Sequence, residues 1–158
     1  MTDEILQAAL EAAECAKLPF VLVRAVVMTE SGGNPAAIRY EPRFDQRYDR
    51  APDGYIPPGC SQATEEVGRA MSWGLMQIMG ETARTIGFRG WFPELCQPGI
   101  GLAWGCRYLR RLADRYGHEG WAVVCRAYNG GPGNRHDPKN GYPAEILKHL
   151  GGCWPQGV

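Results

Sequence analysis

The stretch FVLVRAVVMTES, residues 20–31, constrains the fold more than any other segment of the chain. Its apolar side chains run almost all the way round a helix instead of along one stripe, so the segment has to be a buried, central helix. Pro19 suits the first turn of such a helix. Gly32-Gly33 supplies a left-handed cap, and Pro35 prevents continuation. This arrangement leaves a carboxylate, Glu30, near the end of the most apolar element. Val23, Val26 and Val27 on the preceding turns favour desolvation, which raises a carboxyl pKa. The partial negative charge of a helix C-terminus acts in the same direction. The nearest cation in the helix, Arg24, lies almost two turns back. Glu30 is therefore expected to hold its proton.

Around this helix the sequence alternates between helical pattern and interruption. Residues 3–17 (DEILQAALEAAECAK) read as a helix of strong formers, with Thr2 as N-cap and acids in the first turn. Over 36–71 Pro, Gly, Tyr, Arg and Asp dominate, and the segment reads as a non-helical insert or lobe. A short strand is expected at 37–40, and Asp53-Gly54 marks a turn before Tyr55-Ile56, giving a small hairpin or a long loop. Helix is expected to resume over Thr64–Ala70, around Leu75–Met79 and over Glu81–Ile86, with Gly87 closing the set. Pro98–Tyr116 is a second long helix ended by Gly117. Glu119–Asn129 is a shorter one, broken by Gly130-Gly131-Pro132-Gly133. A final helix at Pro143–Leu150 precedes a Gly/Pro-rich tail at 151–158. The expectation is a single domain over 1–158, mainly α, built around the buried central helix with a small β-hairpin or loop lobe.

Several function classes fall away. The 158 residues carry 17 basic and 17 acidic side chains and no net charge, which argues against a nucleic-acid partner. Arg107, Arg110, Arg111 and Arg115 read as a solvated helix face. No apolar stretch approaches the roughly 20 residues of a membrane span. The start, MTDEILQAAL, lacks the basic and apolar regions of a secretory signal, so the chain reads as made in the cytoplasm. Six cysteines form no CxxC pair and read as free thiols, with Cys15, Cys106 and Cys125 as small core hydrophobes. Met71, Met76 and Met79 read as core filler. His118, His136 and His149 are too scattered for a metal site, no organic cofactor motif is present, and no GxSxG elbow appears.

Three segments do carry a positive signal: Glu30-Ser31-Gly32-Gly33-Asn34, Ser72-Trp73-Gly74-Leu75-Met76-Gln77-Ile78-Met79, and Ala127-Tyr128-Asn129-Gly130-Gly131-Pro132-Gly133. In this order, with the helix GIGLAWGCRYLRRL between the second and third, they resemble the soluble lytic transglycosylases of the lysozyme-like superfamily, which also includes the goose-type lysozymes. The resemblance covers roughly Phe20 to Leu150. It implies an α+β lysozyme-like fold and Glu30 as the catalytic acid/base. It also implies substrate contacts at Ser31, at Gly74, Leu75, Met76 and Gln77, and at Tyr128 and Asn129, with Tyr142 near the glutamate. The stretch 36–71 is long for the family and brings Glu41, Asp45, Asp49 and Asp53; of these Glu41 is the first candidate for a second acid. Tyr128, Trp73, Trp91 and Tyr40 offer flat faces to sugar rings, and Asn129 and Gln77 suit an acetamido group.

The resemblance implies a monomeric enzyme that cleaves peptidoglycan glycan strands between N-acetylmuramic acid and N-acetylglucosamine, without metal or cofactor, and leaves 1,6-anhydro-muramyl ends. The rival on the same bond is a hydrolase that uses Glu41 or Asp45 to orient water. A rival of another class is an inactive glycan-binding module. Without a signal peptide, a cell-wall enzyme of this kind fits phage lysis, a virion or a secretion system.

Overall fold

A computed structural model of the chain describes residues 1–42 and 54–157. Asp45, Asp49 and Asp53 lie outside the described residues. Helix α1 spans Asp3–Cys15, and the Thr2 hydroxyl accepts from the Ile5 amide at its start. Helix α2, Phe20–Ser31, ends on Gly32 at φ 61°, the left-handed cap that its sequence demands. Leu22, Val23, Ala25, Val26 and Val27 are buried, so α2 is the enclosed helix that its all-round apolar character predicts.

Strand β1, Ile38–Tyr40, follows within seven residues of α2. It pairs antiparallel with β2, Met71–Trp73, which in turn pairs with β3, Ile78–Met79. Two expectations are corrected here. Tyr55-Ile56 is not the partner of β1, and residues 75–79 do not form a helix. Gly74 at φ 68° and Gln77 at φ 46° turn the chain back on itself, and these conformations are incompatible with helix. A Cβ at Gly74 would also collide with the Leu95 carbonyl oxygen, so only glycine fits.

Helix α3, Gln62–Arg69, occupies the last part of the segment read as a non-helical lobe, and its cap is Ser61, whose hydroxyl accepts from the Thr64 amide. Helix α4, Gly80–Thr85, packs on α3. Helix α5 covers Pro98–Tyr116 as expected, α6 covers Trp121–Gly130, and α7 covers Tyr142–His149. The 151–157 segment returns to the body, because Trp121 donates its indole N–H to the Gly157 carbonyl and Trp154 packs against the core.

The core has two parts. The larger unites α1, α2, α5, α6 and α7 with Leu75 and Met76. The smaller gathers Trp73, Ile78, Ala83, Ile86, Phe88, Phe92 and Leu95. All six cysteines are free. Cys106 and Cys125 are buried, and burial pushes both thiols up to about 12. Cys15, the last residue of α1, is exposed, contrary to its expected core role. No helix among the described residues is long and apolar enough to cross a membrane.

Candidate active site

Glu30 sits in the last turn of α2, partly buried over the larger core. Its Oε1 accepts a 2.6 Å hydrogen bond from the Tyr142 hydroxyl at the start of α7. Its pKa is raised, foremost by desolvation; the Tyr142 bond and the charge of Arg39 oppose this, and Glu41 adds to it. The expectation of a protonated acid therefore acquires one correction. A cation does reach Glu30, because β1 folds Arg39 back toward the helix end, yet the direction of the shift survives. Tyr142 and Tyr128 both have pKa values well above 10, first through burial and then through the charge of Glu30. Both phenols thus remain hydrogen-bond donors.

The turn 74–77 is the hub on which the motifs meet. Ser31 donates its hydroxyl to the Leu75 carbonyl at 2.8 Å, which ties the end of α2 to the turn. Tyr128, on α6, donates to the Met76 carbonyl at 2.8 Å. Gln77 donates to the Ala37 and Gly74 carbonyls, both at 2.8 Å, and accepts from Ser72 at 2.9 Å. The Gly74 amide donates to the Ala37 carbonyl at 2.8 Å. Backbone carbonyls inside a tight turn cannot pair with each other, so side chains from α2 and α6 satisfy those of Leu75 and Met76, and Gln77 satisfies that of Gly74.

This geometry divides the expected site residues. Glu30, Tyr142 and Tyr128 gather at one place. Gly74, Leu75 and Met76 are buried, and Met76 lies under Gly105, where any Cβ would strike it. The hydrogen-bonding groups of the Gln77 amide are engaged by the protein, which leaves it a clamp between β1 and the turn instead of a free partner for an acetamido group. Asn129 is exposed, and its Oδ1 accepts from Asn140 at 3.3 Å. Glu41 is ion-paired with Arg39. Trp73 presents no open face: it is buried, stacks on Phe92 with ring centroids 5.7 Å apart, and donates its indole N–H to Gly68 at 2.9 Å. Tyr40 and Trp91 are exposed.

Two side-chain sets escaped the sequence reading. Arg39 is one, and its alternation with Tyr40 on a strand next to the motif was the available signal. The other is a buried charge network in the smaller core. Glu65 accepts from Arg69 Nε at 2.9 Å and from Arg84 Nε at 2.8 Å and Nη2 at 3.0 Å. Arg84 also donates to the carbonyls of Phe88 and Gly90, both at 2.9 Å, and its guanidinium lies 4.1 Å from the Phe92 ring centroid. Arg69 continues to Glu81 at 3.1 Å and to the Tyr55 carbonyl at 2.8 Å.

Neither of two open pockets, of about 800 Å³ between α1 and α5 and about 510 Å³ beneath Trp91, is lined by Glu30. The candidate site is therefore defined by the Glu30 carboxyl and the side chains gathered round it, not by either pocket. Among the described residues no group of His, Cys, Asp and Glu could hold a metal ion.

The transglycosylase SLT domain family matches residues 7–149. No curated protein and no solved structure matches the chain. The mainly α architecture with its small antiparallel sheet agrees with the lysozyme-like fold that the sequence resemblance implies. On that match the chain belongs to the transglycosylase SLT domain family, the lysozyme-like lytic transglycosylases that act on peptidoglycan.

Proposed function

We propose that the chain cleaves the β-1,4 bond between N-acetylmuramic acid and N-acetylglucosamine with Glu30 as the sole acid/base. The observation that carries this reading is the state of Glu30, a desolvated carboxyl with a raised pKa whose hydrogen-bonding neighbour is a phenol and not a second acid. Glu30 donates its proton to the leaving glycosidic oxygen as the bond to the muramyl anomeric carbon breaks. The acetamido oxygen of the muramyl residue stabilises the positive charge at that carbon. The Glu30 carboxylate then takes the proton of the muramyl 6-hydroxyl, whose oxygen attacks the anomeric carbon and closes the 1,6-anhydro ring. Proximity favours this internal hydroxyl over water.

Tyr142 fits this cycle because its donated hydrogen bond supports the carboxylate formed midway. Tyr128, Ser31 and Gln77 act on substrate through the turn they hold. In this reading Gly74, Leu75 and Met76 contribute backbone to the groove floor, and Asn129 contributes an exposed amide at its rim.

A hydrolytic reading has one observation in its favour, the nearness of Glu41 to Glu30. The ion pair with Arg39 weighs against it, since it turns the Glu41 carboxylate toward a guanidinium and not toward a water. Mass analysis of products from purified cell walls decides between them. Anhydro-muramyl ends, one water lighter, are expected; reducing ends would replace the proposal with the hydrolase. Glu30→Gln is expected to abolish cleavage and keep binding. A wild-type protein that binds walls but cleaves none would make the chain a binding module.

A further inference from the structure

Strand β1 brings a cation to the cleavage point and leaves most of it unused. Residue 39 pairs with Ser72 in the sheet, and the Gln77 clamp on Ala37 fixes the strand against the turn beside α2. Side chains alternate along a strand, so Arg39 and Glu41 point to the same face, where Arg39 Nε meets Glu41 Oε1. The Arg39 side chain is 70% exposed all the same. Apart from Glu41, no described residue pairs with its guanidinium, which leaves the two terminal amino groups without a partner among the described residues. Both charges act on Glu30, Arg39 lowering its pKa and Glu41 raising it.

Such a pair does little for the acid, because its two effects oppose each other. A cation beside a glutamate that has to stay protonated is counterproductive unless it serves something else. The substrate of the proposed reaction supplies a reason. A muramyl residue bears a lactyl ether whose carboxyl group is a free carboxylate in peptide-free strands; in peptide-bearing strands it is an amide, and the attached peptide carries carboxylates of its own. An open guanidinium fork matches a carboxylate in two parallel hydrogen bonds.

We propose that Arg39 is a specificity-determining residue that binds a carboxylate of the muramyl unit at the cleavage point. The inference rests on the peptidoglycan-cleaving reading above. The Glu41 charge beside Arg39 Nε keeps the guanidinium at this place, which lowers the entropy lost on binding.

The test measures binding by the inactive Glu30→Gln protein to three soluble glycan preparations. These are peptide-free strands with free lactyl carboxylates, the same strands with the carboxylates converted to methylamides, and peptide-bearing strands. The carboxylate strands are expected to bind about tenfold more tightly than the methylamide strands. Adding Arg39→Gln should erase that difference, and Arg39→Lys should keep part of it. Loss of affinity for the peptide-bearing strands alone would place the carboxylate on the peptide; loss for the peptide-free strands alone would place it on the lactyl group. Equal weakening on charged and methylamide strands, or no weakening on any of the three preparations, overturns the proposal. In the otherwise wild-type protein, Arg39→Gln should raise KM on carboxylate strands much more than it lowers kcat. A residue that only tuned Glu30 would move the pH profile equally on both kinds of strand. If the wild type makes no anhydro ends, the functional reading fails, while the binding comparison still decides the role of Arg39.

Discussion

Two carboxylates withdrawn from water, Glu30 partly and Glu65 almost wholly, receive opposite treatment. Glu65 is 2% exposed in the smaller core, where three guanidinium N–H groups from Arg69 and Arg84 converge on its two oxygens. Glu30 lies against the aliphatic face of α2 and takes one hydrogen bond from a phenol. The first arrangement compensates a charge and the second discourages one. The donor count separates the two: Glu65 is saturated by guanidinium groups, while Glu30 is undersupplied, which suits the proton transfer proposed for it.

The larger prediction breaks the structural side of this contrast. Arg84→Met fills much of the same volume but strips the buried Glu65 of two of its three donors, leaving only Arg69 on it, and takes the Arg84 donor from the Gly90 carbonyl. Removing one partner of such a network costs about 3–5 kcal/mol, read as a lower midpoint in urea unfolding. If the variant unfolds at the wild-type midpoint, the network does not hold the smaller core.

A smaller effect sharpens the chemical side. Tyr142→Phe removes the donor to Glu30 and leaves the packing of α7 nearly intact. Activity should fall by about one to two orders of magnitude, since the carboxylate formed midway loses its support. Because the Tyr142 bond lowers the Glu30 pKa, the alkaline limb of kcat/KM should also move to higher pH in the variant. An unmoved limb would show that Tyr142 does not act on the acid.

The smallest effect concerns stability. The folded pKa of Glu30 lies above its ordinary value of 4.5, so the native state binds this proton more tightly than the unfolded chain. Stability from this group is fully present below pH 4.5 and declines as pH rises through the folded pKa. Glu30→Gln escapes the decline. The variant should melt above wild type at neutral pH, and the gap should narrow toward pH 4. A gap that widened on acidification would reverse the sign of the argument.

Much of this contrast was written in the sequence, though unevenly. The all-round apolar pattern of α2, the Gly32 cap and the length of α5 were legible because each rests on local physics, namely helical period and backbone sterics. The meeting of Glu30 with Tyr142 and Tyr128 followed from the family resemblance, since residues so far apart in the chain give no local signal. Residues 75–79 were misread as helix because Leu75, Met76 and Ile78 suit helix by propensity, and the left-handed turns at Gly74 and Gln77 exist only against Ala37 and Leu95. Glu65, Arg69 and Arg84 were missed for a related reason. A Glu and an Arg four apart on a polar helix read as solvated, and only the packing of α4 on α3 encloses them. Trp73 looked like a sugar platform until Phe92 covered it.

The account stands or falls on the proton of Glu30. Labelling glutamate side-chain carboxyl carbons and following their NMR shifts against pH measures it directly, with Glu30→Gln assigning the resonance. The account predicts that the Glu30 carboxyl titrates clearly above 4.5 and moves higher still in Tyr142→Phe. A Glu30 resonance that titrates at or below 4.5 would contradict it.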